Sequence, residues 1–317
     1  MAINVLQATG FLMAGYSVMS NDCLQALGDY FSSNKERTPK FIQAIFVCSV
    51  LSFVLLWGWS IGHGDPAWGR LEKFALPSVF TWVYLIPPVT VMLLTRWGAP
   101  VSTTFLVLTA FQPNNVGALL TKSLSGYLLA CLLGGVLYGA VIWLLERRVL
   151  RQPGTAKPIW FVLQWLSTGW LWSQWLIQDL ANIYVYLPRQ LSAVEMVATV
   201  SALCAGICVL IKLSGGPIQH VVRSKTNTED LRSAAIIDLL YGFILFYFAQ
   251  VSKFPMSTTW VFLGLLSGRE VALYLRLRNR QGQEVRATVV NDAFKAGVGL
   301  VVSIAIALLI QPLKALG

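Results

Sequence analysis

The sequence predicts an all-α polytopic membrane protein of about ten crossings, built as two inverted-topology repeats with broken or short helices at the midplane. Three observations carry this prediction. The 317 residues are 56% hydrophobic and 12% charged, against roughly 25% charge in an ordinary soluble domain. Two short polar motifs occur twice, in the same order and at nearly the same spacing. The basic residues collect on one side of the predicted spans, as cytoplasmic loops require.

Ten apolar segments are placed, five per half: 3–31, 41–61, 76–95, 98–112 and 122–145, then 159–187, 191–211, 234–252, 255–268 and 287–311. Repeat 1 is read over 1–145, a cytoplasmic linker over 146–158 and repeat 2 over 159–317. The alternating ten-residue segments of an outer-membrane barrel are not seen. Met1 to Met19 lacks the basic start of a cleavable signal.

Five crossings per half is an odd number, so the second half is inverted. With the N-terminus outside, the inside segments hold 17 Lys and Arg and the outside segments hold 6. Both termini are therefore expected outside, in a multi-pass protein of the cell (inner) membrane. The net charge of +10 follows from the same rule and does not call for nucleic acid. The five cysteines (Cys23, Cys48, Cys131, Cys204, Cys208) fall in apolar segments, and His63 and His220 lie in predicted loops. Neither set has the spacing of a transition-metal site.

Asn21-Asp22-Cys23-Leu24-Gln25 precedes Pro100-Val101-Ser102-Thr103-Thr104. Gln178-Asp179-Leu180-Ala181-Asn182 precedes Pro255-Met256-Ser257-Thr258-Thr259. Asp22 to Pro100 is 78 residues and Asp179 to Pro255 is 76. The segments that start at the two prolines are only about 15 and 14 residues long, short of the roughly 20 a spanning helix needs. Short segments at matching positions of two halves point to a transporter site between repeats.

Pro suits the first turn of a helix, and a helix N-terminus attracts anions. Ser102, Thr103, Thr104, Ser257, Thr258 and Thr259 are therefore read as anion-binding. They would supply N–H and O–H donors without a permanent Lys or Arg. The alternative use of these hydroxyls is to cap their own helices. An isolated carboxylate at mid-bilayer costs about 2.5–3.5 kcal/mol on an insertion scale, so Asp22 and Asp179 need a cation, a proton or a base. Each has an amide three residues on, Gln25 and Asn182, on the same helix face. Asp22, Gln25, Asp179 and Asn182, supported by Asn21 and Gln178, form an oxygen-rich cation site. In a sodium-coupled protein Asp22 and Asp179 would be the Na⁺ ligands. No catalytic residue stands out, and the chain is not expected to be an enzyme.

Asp29, Glu195, Asp238 and Asp292 are placed near span ends, where capping or snorkelling explains them. Arg189, just past Tyr184 and Tyr186, reads as an interfacial anchor. Trp160, Trp165, Trp170, Trp172 and Trp175 read as interface belt and packing.

These motifs resemble the inorganic phosphate transporter (PiT) family of ion-coupled symporters, which carries Gly-x-Asn-Asp-x-x-Asn and Pro-x-Ser-Thr-Thr in each inverted half. The resemblance rests on Asn21, Asp22, Pro100, Ser102 to Thr104, Asp179, Asn182, Pro255 and Ser257 to Thr259. The sequence departs from the family at Gln25 and Gln178, which replace Asn, and at Met19 and Leu176, which replace Gly. It departs again at Phe105 and Trp260, which replace a His that often follows Ser-Thr-Thr. The resemblance implies secondary active symport of an inorganic oxyanion, phosphate first, driven by Na⁺ or H⁺ and without a cofactor. Sulfate or another anion on the same fold, a passive channel and a non-transporting scaffold are the alternatives. The partners expected are the anion, membrane lipid and, for an assembly, a second copy of the chain.

Overall fold

Asn4 opens the first helix, α1 (Val5–Val18), by a reciprocal cap: its side chain accepts Gln7 N–H at 2.8 Å and its own N–H reaches Gln7 Oε1 at 3.0 Å. The computed structural model describes residues 3–97, 101–112, 116–137, 139, 158–213, 231–251, 257–277 and 281–314. Every regular element among them is a helix.

The α1 helix does not run on as the predicted 3–31 span. A π-helical turn, Met19–Cys23, widens the backbone before α2 (Leu24–Asn34). Single π turns mark strained, often functional, points in helices. This one carries Asn21 and Asp22. Ser17 and Ser20 donate back to Ala14 O and Ser17 O just ahead of it, a bonding pattern that bends helices.

The α3 helix (Lys40–Ile61) follows Pro39. The chain then makes an irregular excursion in place of the predicted start of a span at 76. This excursion ends in a 3₁₀ turn (Trp82–Leu85) and α4 (Ile86–Arg96), with Pro87 and Pro88 in the first turn. The short α5 helix (Thr103–Phe111) has every residue buried. α6 (Val116–Leu137) follows, and the predicted linker 146–158 lies outside the described residues except for Pro158, which begins the next helix. The second half contains α7 (Pro158–Tyr184), α8 (Ala193–Lys212), α9 (Leu231–Val251), α10 (Thr258–Leu277) and α11 (Gln281–Lys314). Ser192 and Glu195 form a capping box on α8, so Glu195 is a cap as predicted.

Among the described residues three helices, α3, residues 117–137 of α6 and α8, are long and apolar enough to cross a membrane. Leu124, Leu128, Leu132 and Val136 form an exposed stripe along α6. In lipid such a stripe meets solvent of its own polarity, so helices associate through close packing. The α6–α10 pair does this through small residues. A side chain at Gly264 would strike Tyr127 O, one at Gly268 would strike Cys131 O, and one at Gly134 would lie 2.7 Å from Leu265 O. Trp172 and Trp175 stack at 4.8 Å in the core, and Trp172 Nε1–H binds Val47 O on α3. They serve the packing share of the predicted tryptophan role.

Candidate functional site

Two acids sit at the centre on different local backbones. Asp22 is carried by the π turn, whereas Asp179 lies within the unbroken α7. Asp22 is 1% exposed and Asp179 0%. Their charges repel each other across the site.

The threonines connect the two halves in a crossed pattern. Thr103 donates to Asp22 Oδ2 and Thr258 to Asp179 Oδ2, each within its own half. Thr259 donates to Asp22 Oδ1 at 3.0 Å and Thr104 to Asp179 Oδ1 at 3.4 Å, each across to the other half. Every acid thus takes the first threonine of its own motif and the second threonine of the duplicate. Ser102 and Ser257 do something else: their hydroxyls accept the N–H of Phe105 at 3.2 Å and of Trp260 at 3.3 Å. They are helix N-caps, which is the alternative the sequence left open for all six hydroxyls.

The amides are arranged less symmetrically. Asn21 Nδ2 donates to Asp22 Oδ1 at 2.9 Å and to Val101 O at 2.7 Å. Asn182 Nδ2 reaches Asp179 Oδ1 at 2.9 Å and the hydroxyls of Thr103 and Thr104 at 3.2 and 3.1 Å. Gln178 donates away from the acids, to Leu245 O at 3.1 Å. Among the described residues three buried amide oxygens, Asn21 Oδ1, Asn182 Oδ1 and Gln178 Oε1, have no donor. A buried acceptor without a donor costs about 1–3 kcal/mol, and a bound cation removes that cost. The side chain of Gln25, and Pro100 and Pro255, lie outside the described residues.

Two further features were not legible in sequence. Asp29 and Asp238, expected near span ends, are both buried and repel each other. The helix bearing Asp238 begins at Leu231, so this residue falls two turns inside it and accepts the Thr168 hydroxyl at 2.5 Å. Beside it, Gln164 joins Thr168 at 3.1 Å to Asn34 at 2.9 Å. Arg70, on the excursion after α3, is 3% exposed. Burial pulls its guanidinium down to about 10, opposed by the attraction of Asp179.

Arg189 is held by main-chain carbonyls rather than at an open interface. Its Nε and Nη2 donate to Phe74 O at 3.0 and 2.7 Å, and Nη1 donates to Val185 O and Leu187 O. Among the described residues no group of three or more His, Cys, Asp or Glu side chains forms a metal centre.

No family model and no curated protein matches the sequence. A solved structure titled "The sodium-dependent phosphate transporter" shares the fold, with a TM-score of 0.65 at 13% identity over 99% of this chain and 100% of that one. The described residues are thus all-helical in their regular elements, and the chain shares the fold of that structure.

Proposed function

We propose that the chain is a secondary active transporter that couples Na⁺ to an inorganic oxyanion, phosphate first, by alternating access between two inverted repeats. About ten crossings and two outside termini belong to this reading. The observation that carries it is the crossed lattice of four threonine hydroxyls on two buried, mutually repelling carboxylates. The name of the solved structure that shares the fold supports sodium and phosphate as the first choices.

The lattice suggests how the two substrates are coupled. A hydroxyl has one proton to give. With the carboxylates bare, the four threonines direct it to Asp22 and Asp179, Thr259 sharing its proton with Val101 O at 3.2 Å. Na⁺ on a carboxylate, joined by oxygens from Asn21, Gln25, Gln178 and Asn182, supplies the positive charge that those protons supplied. Thr103, Thr104, Thr258 and Thr259 then turn their O–H groups to the anion. Ser102 and Ser257 hold the helix N-termini whose dipoles favour it. Cation first and anion second is the resulting order. Because each acid is tied to both halves, filling the site changes the bonds that join them.

Counterflow of labelled phosphate and sulfate in proteoliposomes, with Na⁺ or K⁺, tests the reading. Na⁺-dependent phosphate exchange is expected. Sulfate exchange in its place would change the substrate, and exchange of neither anion under any cation gradient would remove the proposal.

A further inference from the structure

The α3 and α8 helices run antiparallel, and their register is pinned at both ends. At one end Lys40 Nζ donates to Lys212 O at 3.3 Å. At the other, Trp59 Nε1–H donates to Leu191 O at 2.8 Å and Leu191 N–H to Gly64 O at 2.9 Å. Between these ties the helices meet at cysteine. Cys48 Sγ lies 3.7 Å from Cys204 O, and Cys204 Sγ lies 4.0 Å from Cys48 O. The two positions are 156 residues apart. Asp22 and Asp179 are 157 apart, and Pro100 and Pro255 are 155 apart. A position of the duplicated sequence therefore faces its own copy.

The next turn of each helix repeats the relation with one change. Cys208 Sγ lies 4.0 Å from Cys48 Sγ. Ser52, the counterpart of Cys208 in the first half, places its Oγ 3.6 Å from Cys204 Sγ. One of the two matching places thus holds two thiols, and the other holds a thiol and a hydroxyl. Only the first can become a disulfide.

The thiols are also within reach of a small oxidant. A groove of about 580 Å³ between α3 and α8 opens onto Cys48, Cys204 and Cys208, with Lys40 and Lys212 on its wall. Cys208 is exposed and Cys48 is half-buried. Cys208 stands four residues before Lys212, the last residue of α8, or about 6 Å along the helix axis. An accessible thiol beside a second one that can resolve it is the arrangement of redox-responsive cysteines.

We propose that Cys48 and Cys208 are a peroxide-responsive thiol pair whose oxidation to a disulfide straps the first half of the chain to the second. The inference does not depend on the transporter reading. Cys208 Sγ, as the thiolate, attacks one oxygen of the peroxide. The O–O bond breaks, an S–O bond forms, and water leaves a sulfenic acid on Cys208. The Cys48 sulfur then attacks Cys208 Sγ. The S–S bond forms, the S–O bond breaks, and the hydroxide leaves with the Cys48 proton as a second water. Two thiols are oxidised and one hydrogen peroxide is reduced to two waters. The sulfurs close from 4.0 Å to about 2.05 Å in the bond.

The test is thiol mapping of the full chain in detergent after hydrogen peroxide. Remaining thiols are alkylated, and the protein is digested without reductant for mass spectrometry. A peptide pair linked through Cys48 and Cys208 is expected, and a dithiol reductant should release it. Cys48→Ser and Cys208→Ser should each abolish the linkage, and Cys204→Ser should keep it. In Cys48→Ser a sulfenic-acid trap such as dimedone should label Cys208. The oxidised wild type should unfold at a higher midpoint than the reduced protein, because the strap restricts the unfolded chain. Cys208→Ser should show no such rise. Mapping of the wild type decides the question even if a serine variant does not fold. No linked pair after peroxide, linkage through Cys204 or between two chains in its place, or a midpoint that the linkage leaves unmoved overturns the proposal.

Discussion

Thr259 gives its hydroxyl proton to Asp22 at 3.0 Å across 237 residues of chain. Thr104 does the same for Asp179 at 3.4 Å. The second threonine of each motif is thus the tie between the halves.

Replacing that tie without changing its shape is the first prediction. Thr259→Val removes one donor to a carboxylate. A hydrogen bond to a charged group contributes about 1.5–3 kcal/mol. The KM for phosphate is expected to rise about ten- to a hundredfold, while Na⁺ binding without anion holds or tightens, because the hydroxyl no longer competes. Thr259→Ser keeps the proton and should keep the affinity. Uptake kinetics and sodium titration of the unfolding midpoint read both halves of this expectation.

Asp22→Asn and Asp179→Asn should each abolish Na⁺-driven uptake. Wild type gains about 2.7 kcal/mol of stability at a hundred times the Kd for Na⁺, and both variants should lose that gain. Flux that survives neutralisation of both acids would identify a passive pore.

The α6–α10 seam makes a prediction about stability alone. Gly264→Ala and Gly268→Ala each drive a methyl into backbone carbonyls, of Tyr127 and Cys131. Overpacking of this kind costs about 1–3 kcal/mol, seen as a lower unfolding midpoint. Gly117→Ala meets nothing within 4 Å and should unfold as wild type. Equal behaviour of all three would mean the seam is looser than these contacts require.

Thr168 supports a buried acid away from the central site. Thr168→Val leaves Asp238 without the hydroxyl that now lies at 2.5 Å. The loss is expected to be about 1–3 kcal/mol, measured as a fall in midpoint, with Thr168→Ser close to wild type.

The duplication made the central site legible in advance. Asp22 and Asp179, with the paired Thr-Thr sequences, are too expensive in apolar sequence to be incidental, and twofold occurrence placed them together. The roles within Ser-Thr-Thr were not legible: the serines cap and the threonines bridge, because only a folded helix start decides which hydroxyl meets its own backbone. Asp238 was misjudged because a helix start three residues earlier moves it from an end to the interior. Arg70 lies in a segment with no periodicity, where sequence carries no sign of what the side chain faces.

Composition and repetition, which are local and additive, determined by themselves that this is a helical membrane protein with two matched polar motifs. Only the tertiary structure decided that Thr259 belongs to Asp22, that Thr104 belongs to Asp179, and that Asn182 touches both threonines of the other half. Those pairings join residues tens to hundreds of positions apart. Their choice depends on how whole helices pack, which no local pattern encodes.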